Sequence, residues 1–291
     1  MAVSGHEARD DALFKLYRYD PSMAAAVIFT LLFMAITGLH LYQLVRTKTW
    51  FFTCFVIGGF MQFIGYIGAS TPRAVSSSES PNWTVKPYIV QTLLLLVSPA
   101  LFAASIYMIL GRIILVTDGE NYSPIRRTWL TKMFVLGDVL SFVLQGAGGG
   151  MMAAGTVEAL HNGERIVIIG LIVQIIFFSL FAITTLIFHR RFSNVLSPKV
   201  HALNIPWQKY LVVLYIAAGL IMVRSVFRLI EYAQGNSGYL ITHEAYLYIF
   251  DGVLMFLTMV LFAWEHPSEL NAKLRRGGTA VRRGIQFYWA E

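Results

Sequence analysis

The stretch Arg224–Asp251 reads RSVFRLIEYAQGNSGYLITHEAYLYIFD and combines charged residues with segments apolar enough to cross a bilayer. Its first half carries Arg224, Arg228 and Glu231 at i, i+4 and i+7, so a helix would place them on one face. After a turn at residues 235–238, a second ionisable group consists of His243, Glu244 and Asp251. A charge inside a membrane is costly unless it is paired, and it marks a functional site by default. We therefore expect two neighbouring helices that face each other with mixed charge.

The composition is that of a membrane protein. Hydrophobic residues make up 56% of the 291 residues and charged residues 13%, with a mean hydropathy of +0.61, whereas a soluble domain carries about a quarter charged residues. We predict an all-α, polytopic membrane protein. The net charge of +7 falls in one set of loops, so we expect no nucleic-acid partner. The single cysteine, Cys54, excludes an intrachain disulfide.

Seven apolar stretches are long enough to cross a hydrocarbon core, which needs about 20 helical residues. They predict transmembrane helices near residues 22–44, 50–69, 87–111, 129–154, 166–188, 209–231 and 243–264. The predicted organisation is an extracytoplasmic segment at 1–21, a transmembrane domain at 22–264 and a basic cytoplasmic tail at 265–291. Residues 1–21 lack the pattern of a signal peptide, so the first helix is expected to act as its own insertion signal.

Lysine and arginine are distributed unevenly between the two sets of loops. The N-terminal segment and the second, fourth and sixth loops hold six of them, namely Arg9, Lys15, Arg18, Arg73, Lys86 and Arg165. The other loops and the tail hold fifteen, namely Arg46, Lys48, Arg112, Arg126, Arg127, Lys132, Arg190, Arg191, Lys199, Lys209, Lys273, Arg275, Arg276, Arg282 and Arg283. Because cytoplasmic loops carry the basic excess, this predicts an external N-terminus and a cytoplasmic C-terminus.

One further signal agrees with this orientation. The sequon Asn82-Trp83-Thr84 falls in an external loop and predicts glycosylation at Asn82. The basic tail is expected to rest on anionic lipid at the cytoplasmic face. We expect an integral membrane protein of the plasma membrane, with an internal membrane as the alternative.

Polar residues of several helices are expected to converge in the outer half of the bilayer, as judged by counting helical residues from each loop. Gln62, Tyr66 and Gln145 belong to this half, and Asp138 lies near the middle. The predicted substrate-binding set is Arg224, Arg228, Glu231, Glu244, Asp251, Asp138, Gln145, His243, Gln62 and Tyr66. Alternatively, the charges are structural ion pairs that join the sixth and seventh helices, and the glutamines only bond between helices.

Helix-breaking residues accompany this polar set. Pro99 is expected to kink the third helix, and the fourth helix ends in a glycine-rich run that includes Gly146, Gly148, Gly149, Gly150 and Gly155. Broken helices line the cavities of transporters, and glycines equally permit tight helix packing. Both interpretations stay open at this point.

No recognisable catalytic motif accompanies these residues. The sequence has no Walker loop, no G-x-S-x-G and no H-E-x-x-H, so we expect no enzyme activity, no cofactor and no metal site. His40, His189 and His266 could form a cluster at the cytoplasmic helix ends, although interfacial histidines need not be ligands. The seven-helix receptor motifs D/E-R-Y and N-P-x-x-Y are also absent, which leaves a receptor as a minor hypothesis.

Several motifs together resemble a known family. They are Tyr107 to Arg112 (YMILGR), Gly137 to Ser141 (GDVLS) with Gln145, Arg224 to Arg228 (RSVFR) with Glu231 and Tyr232, and His243-Glu244 with Tyr248 and Asp251. The chain resembles the fungal RTA-like, or lipid-translocating exporter, family over nearly its whole length. One position departs from the family pattern, because Gln62 stands where relatives usually carry glutamate.

The resemblance implies a seven-helix fungal protein that releases or flips amphipathic molecules such as sphingoid bases, or confers resistance to toxic compounds. Our leading hypothesis is a membrane exporter or flippase-like translocator whose partners are membrane lipids or amphipathic small molecules. A lipid- or stress-sensing receptor and an intramembrane lipid-modifying enzyme are the alternatives. The glutamine at position 62 makes a cationic long-chain base a less secure substrate here than for the relatives.

Overall fold

The structure, a computed structural model, describes residues 23–70, 85–152, 156–194, 207–234, 244–275 and 277–290. Its first six long helices are α1 (Met23–Thr47), α2 (Thr53–Ser70), α3 (Val85–Val116), α4 (Arg127–Met152), α5 (Val157–Ser193) and α6 (Trp207–Ala233). Short 3-10 turns at Trp50–Phe52 and Glu120–Tyr122 precede α2 and α4. Helix α7 has three consecutive segments, which are Glu244–Leu247, the π-helical Tyr248–Val253, and Leu254–Trp264. The chain then forms α8 (Ser268–Leu274) and an antiparallel hairpin of β1 (Gly278–Arg282) and β2 (Gln286–Ala290).

Six of these helices are long and apolar enough to cross a membrane, and a seventh span is counted if the bent pair α7 and α8 is taken as one. Large apolar side chains such as Leu136, Ile169, Ile183 and Val212 are exposed on the helix surfaces, where a bilayer would cover them. The predicted all-α, polytopic fold is therefore confirmed.

Helix α5 is longer than its apolar stretch predicts. The apolar residues indicate a helix at 166–188, whereas the structure starts the helix at Val157 and ends it at Ser193. The Thr156 hydroxyl accepts a hydrogen bond from the Ala159 backbone N–H at 3.2 Å and caps the helix. Hydropathy marks the part of a helix that lies in lipid, so it misses polar turns that continue beyond it.

The glycines of α4 show one clear packing role. A β-carbon on Gly148 would lie 2.6 Å from the Gly163 carbonyl oxygen, and one on Gly163 would lie 2.6 Å from the Gly148 carbonyl oxygen. Only glycine permits this approach of α4 to α5. A β-carbon on Gly149 or Gly150 would meet no atom within 4 Å. Gly155 lies outside the described residues.

The tail has a fold that the sequence analysis did not predict. Helix α8 and the hairpin pack against one end of the helix bundle, which we call the hairpin end. There Gln43 donates from Nε2 to the carbonyl oxygens of Ala263 at 2.9 Å and Gly284 at 2.7 Å. Arg112 donates to Asn271 at 3.0 Å and Tyr210 to Glu269 at 3.0 Å. These bonds fix the hairpin end of α1, α3 and α6 to the tail.

Candidate functional site

Helices α6 and α7 are joined by a buried ion pair. Arg224 and Asp251 are 3% and 4% exposed, and the Arg224 Nε donates to the Asp251 Oδ1 at 2.5 Å. Each charge neutralises the other in surroundings where an unpaired charge is very costly. The structure thus pairs two of the charges that the sequence places in neighbouring apolar segments.

A proline on α3 supplies the second partner of Arg224. Pro99 has no N–H, so the carbonyl oxygen of Leu95, four residues earlier, lacks its usual helical donor. The Arg224 Nη2 donates to this oxygen at 3.3 Å. Helix α3 continues through Pro99 without interruption. The proline therefore provides an acceptor for a buried arginine, a role that its spacing to Leu95 could have suggested but that sequence reasoning missed.

Asp251 lies in a π-helical turn, Tyr248–Val253, within α7. Such turns are rare and occur often at functional sites, because they insert one extra residue and disturb the helical hydrogen bonding. Next to it, a β-carbon on Gly252 would lie 2.7 Å from the Tyr66 hydroxyl oxygen and 2.9 Å from the Phe29 ring. The small Gly252 thereby lets α2 and α1 approach α7 beside the ion pair.

Aromatic rings form one wall beside this ion pair. The Tyr66 ring stacks on Phe33 at 5.3 Å between centroids and on Tyr248 at 6.1 Å, and Phe29 stacks on Tyr248 at 5.0 Å. Tyr66 itself is 2% exposed. Of these four residues the sequence analysis singled out only Tyr66 as a site residue, because apolar positions of a membrane helix carry no signal for a specific contact.

Gln62 lies one helical turn before Tyr66 on α2 and is 1% exposed. Neither its Nε2 nor its Oε1 has a hydrogen-bond partner among the described residues. A buried amide without partners costs about 1–3 kcal/mol. Native proteins rarely keep such a group, so Gln62 is an open donor and acceptor at the level of the aromatic wall.

A second ion pair lies further along α6, toward the end of the bundle opposite the hairpin end. Arg228 donates from Nη1 to the Glu231 Oε2 at 2.8 Å, and its guanidinium lies 5.5 Å from the Tyr232 ring centroid. The side chains of Arg228 and Glu231 are 12% and 10% exposed, against 4% and 6% for those of Arg224 and Asp251. Exposure therefore rises toward the opposite end, and both pairs are neutral overall.

Asp138 and Gln145 belong to a different group, between α4 and its neighbours α3 and α5. Gln145 donates from Nε2 to the Ser141 hydroxyl at 2.6 Å and to the Gln174 Oε1 at 3.2 Å, and Ser141 donates to the Gly170 carbonyl at 2.8 Å. These described contacts link α4 to α5 and do not reach Arg224. Among the predicted site residues whose side chains are described, Asp138 and Gln145 therefore lie apart from the Arg224–Asp251 pair.

Three of the predicted positions fall outside what the structure describes. His243 and Asn82 lie outside the described residues, and the backbone of Glu244 starts α7 while its side chain is not described. Their predicted roles in substrate binding and glycosylation therefore stay predictions.

The three histidines considered as a cluster separate into two places. The rings of His40 and His266 lie 6.5 Å apart, both buried at the hairpin end, whereas the His189 Nδ1 lies 3.2 Å from the Tyr215 hydroxyl. Within the described ranges, no group of three or more His, Cys, Asp or Glu side chains could hold a metal ion.

Comparison with known proteins assigns this arrangement to a family. The family described as RTA1 like protein matches residues 55–273, which include Gln62, Asp138, Arg224 and Asp251. Protoporphyrin uptake protein 1 of Saccharomyces cerevisiae is 38% identical over 295 residues, covering 87% of this chain and 92% of the relative. Protein RTM1 of Saccharomyces cerevisiae is 34% identical, covering 86% of this chain and 90% of the relative.

A more distant relative carries a substrate in its name. The Sphingoid long-chain base transporter RSB1 of Saccharomyces cerevisiae is 24% identical over 286 residues, covering 85% of this chain and 72% of the relative. No solved structure matches the chain. The family model spans most of the sequence, and the named relatives include transporters of lipids or other compounds. The chain is therefore a multi-pass membrane protein that belongs to the RTA1-like family.

Proposed function

We propose that the chain is an exporter or flippase-like translocator of amphipathic lipids, such as sphingoid bases, or of toxic hydrophobic compounds. In this proposal the Arg224–Asp251 pair, Gln62 and Tyr66 bind the polar head of the substrate. Arg228 and Glu231 lie on the route between this site and the opposite end of the bundle. His243 and Glu244 are proposed as further contacts of the same head group.

The observation that carries the proposal is the Gln62 amide, which is buried and has no hydrogen-bond partner for either polar atom among the described residues. It lies one helical turn before Tyr66, which packs against Gly252 next to Asp251. A purely structural ion pair needs no such neighbour, because packing alone would favour an apolar side chain at position 62. A bound head group with a hydroxyl or an amine would satisfy the amide. The same head could also exchange hydrogen bonds with Arg224 and Asp251.

The energetic reason for such a site is the cost of moving a polar head through hydrocarbon. A hydroxyl or amide without hydrogen bonds costs about 4–8 kcal/mol on transfer from water to an alkane. A polar site between helices lowers this cost by offering donors and acceptors inside the membrane. Both ion pairs are neutral overall, so the site suits a head that both donates and accepts hydrogen bonds.

The membrane orientation is part of the proposal. The fifteen basic residues of one loop set and the tail support a cytoplasmic hairpin end and an external opposite end. Exposure of the ion pairs then increases toward the outer leaflet, in the direction expected for release of an exported substrate. We propose the plasma membrane as the location.

The test is a reconstitution of the purified full chain in liposomes with a fluorescent long-chain base or phospholipid, in which leaflet distribution and chemical identity are both followed. Wild type should accelerate transfer between leaflets without altering the probe, and Asp251→Asn should reduce the rate at least tenfold. Leu214→Ala is the matched control for a loss of stability alone. It should lower the free energy of unfolding by about 2–5 kcal/mol at a point of α6 roughly 15 Å from Arg224 along the helix.

Two results would contradict the proposal. The first is a wild-type protein that leaves leaflet exchange at the rate of empty liposomes. The second is an Asp251→Asn rate equal to that of folded wild type. A chemically altered probe would indicate the lipid-modifying enzyme instead, and probe-dependent recruitment of a partner without exchange would indicate the receptor.

A further inference from the structure

Asp138 on α4 is a buried carboxyl group that the Arg224 site does not use. It is 4% exposed, eleven residues after the start of α4 at Arg127 and therefore well inside the bilayer. Neither carboxyl oxygen has a hydrogen-bond partner among the described residues. No described Lys, Arg or His forms an ion pair with it, in contrast to Asp251 and Glu231.

Tyr107 of α3 faces Asp138, and apolar rings of α5 pack against Tyr107. Tyr107 lies close enough to interact electrostatically with the carboxyl, and its buried hydroxyl makes no hydrogen bond of ordinary geometry within the described part of the chain. The α5 rings that pack on this region, Phe178 and Phe181, do not titrate; they lie 6.1 Å and 4.6 Å from the Tyr107 ring. Nearby on α4 itself, Ser141 is engaged with the Gly170 carbonyl.

This environment determines the chemical state of the carboxyl group. An ionised carboxylate in low dielectric, with no cation beside it and only the Tyr107 hydroxyl nearby, costs far more than its neutral form, so the group takes up a proton instead. In the conformation described here Asp138 is therefore a carboxylic acid. It can ionise only when water reaches it, which requires α3, α4 and α5 to separate at this level.

The Asp138 group is separate from the head-group site. Along α3, Leu95 marks the level of Arg224 and Tyr107 marks the level of Asp138. Twelve residues at 1.5 Å each separate these levels by about 18 Å. Asp138 thus lies at a different level of the bundle from the Arg224–Asp251 pair, and we consider a role for it other than contact with the same head group.

We infer that Asp138, assisted by Tyr107, is a proton-exchange site that couples the movement of substrate to a proton gradient. When the bundle opens to one side, the O–H bond of Asp138 breaks and the proton passes to water on that side. A proton from the other side restores the carboxylic acid after the conformational change. This inference rests on the proposed transport function and supplies its energy source.

The experiment uses the full chain in liposomes with a zwitterionic fluorescent phospholipid, whose head does not titrate near neutral pH. Leaflet distribution is measured without and with a pH gradient of about one unit. If one proton is exchanged per lipid, the gradient supports up to about a tenfold difference between the leaflets. Asp138→Asn, which mimics the protonated form, should equilibrate the leaflets but show no gradient-driven difference.

Ser141→Ala is the matched control, because it removes a polar group one turn away and should keep the gradient-driven difference. A wild-type protein that equilibrates lipid identically with and without the gradient would overturn the inference while leaving the proposed function intact. Retention of the gradient effect by Asp138→Asn would overturn it as well. A wild-type protein without any lipid exchange would instead count against the proposed function.

A second measurement does not depend on transport. Infrared difference spectra between Asp138→Asn and wild type at neutral pH should show a protonated carboxyl C=O band that only wild type possesses. If the wild-type band is absent, Asp138 is ionised and the inference is wrong, whether or not Asp138→Asn folds well enough for the liposome assay.

Discussion

Removal of one partner of the Arg224–Asp251 pair should destabilise the bundle far more than removal of both. Arg224→Met leaves the 4%-exposed Asp251 without its cation and the Leu95 carbonyl without its donor. Breaking a buried pair costs about 3–5 kcal/mol, whereas replacing the whole pair by apolar residues is often close to neutral. We expect each of Arg224→Met and Asp251→Leu to lower the free energy of unfolding by about 3–5 kcal/mol relative to wild type. The double variant should lower it by only about 1 kcal/mol.

The assay is a double-mutant cycle on the purified protein in bicelles, with unfolding free energies measured for all four forms. The predicted coupling energy is at least about 5 kcal/mol. The control cycle is Lys209–Glu265, whose N–O distance is also 2.5 Å but whose side chains are 46% and 22% exposed. For that pair we expect a coupling of about 0.2–1 kcal/mol. Additive effects of Arg224→Met and Asp251→Leu, within about 0.5 kcal/mol, would refute the reasoning.

Three further substitutions test the site and the packing around it. Gln62→Leu should raise the free energy of unfolding by about 1 kcal/mol, since it removes an unpartnered amide. It should also lower the lipid exchange rate. An unchanged exchange rate in this variant would show that the amide does not contact substrate. Pro99→Ala adds a backbone N–H that can donate to the Leu95 carbonyl and so competes with Arg224 for that acceptor. The variant should be at least as stable as wild type in thermal melting and should exchange lipid more slowly in liposomes. A loss of stability would contradict this role of the proline. Gly148→Ala should lower the free energy of unfolding by about 1–3 kcal/mol, because its β-carbon would lie 2.6 Å from the Gly163 carbonyl. Gly149→Ala should leave that free energy unchanged or raise it by up to about 1 kcal/mol. Equal effects of the two substitutions in chemical denaturation would count against the tight α4–α5 contact.

The sequence predicted the helices well because the bilayer imposes a length and a polarity on every span. It also indicated that the helices carrying Arg224 and Asp251 would face each other with mixed charge, although it did not indicate which side chains would pair. The beginning of α5 at Val157 was not predicted, because polar turns outside lipid leave no mark on hydropathy.

Other features depend on contacts between distant parts of the chain. The bond from Gln43 to Gly284 and the fold of the tail have no local signature in either segment. The π-helical turn around Asp251 likewise has no signature in the sequence; it lies where Gly252 packs against Tyr66 and Phe29. The separation of Asp138 from Arg224 depends on which residues of α3 each side chain contacts, Tyr107 and Leu95 respectively, and the sequence of α3 alone does not reveal these contacts.

The central claim is that the buried pair and Gln62 bind a polar head rather than only join α6 to α7. The double variant Arg224→Met/Asp251→Leu tests this most directly, because it removes the charged part of the site and is expected to keep the fold. Its lipid exchange rate should be measured in liposomes beside wild type and beside Lys209→Met/Glu265→Leu. The account predicts a folded protein whose exchange falls at least tenfold, while the control double variant exchanges lipid at the wild-type rate. A folded Arg224→Met/Asp251→Leu protein that exchanges lipid as fast as wild type would show that the pair only holds the two helices together.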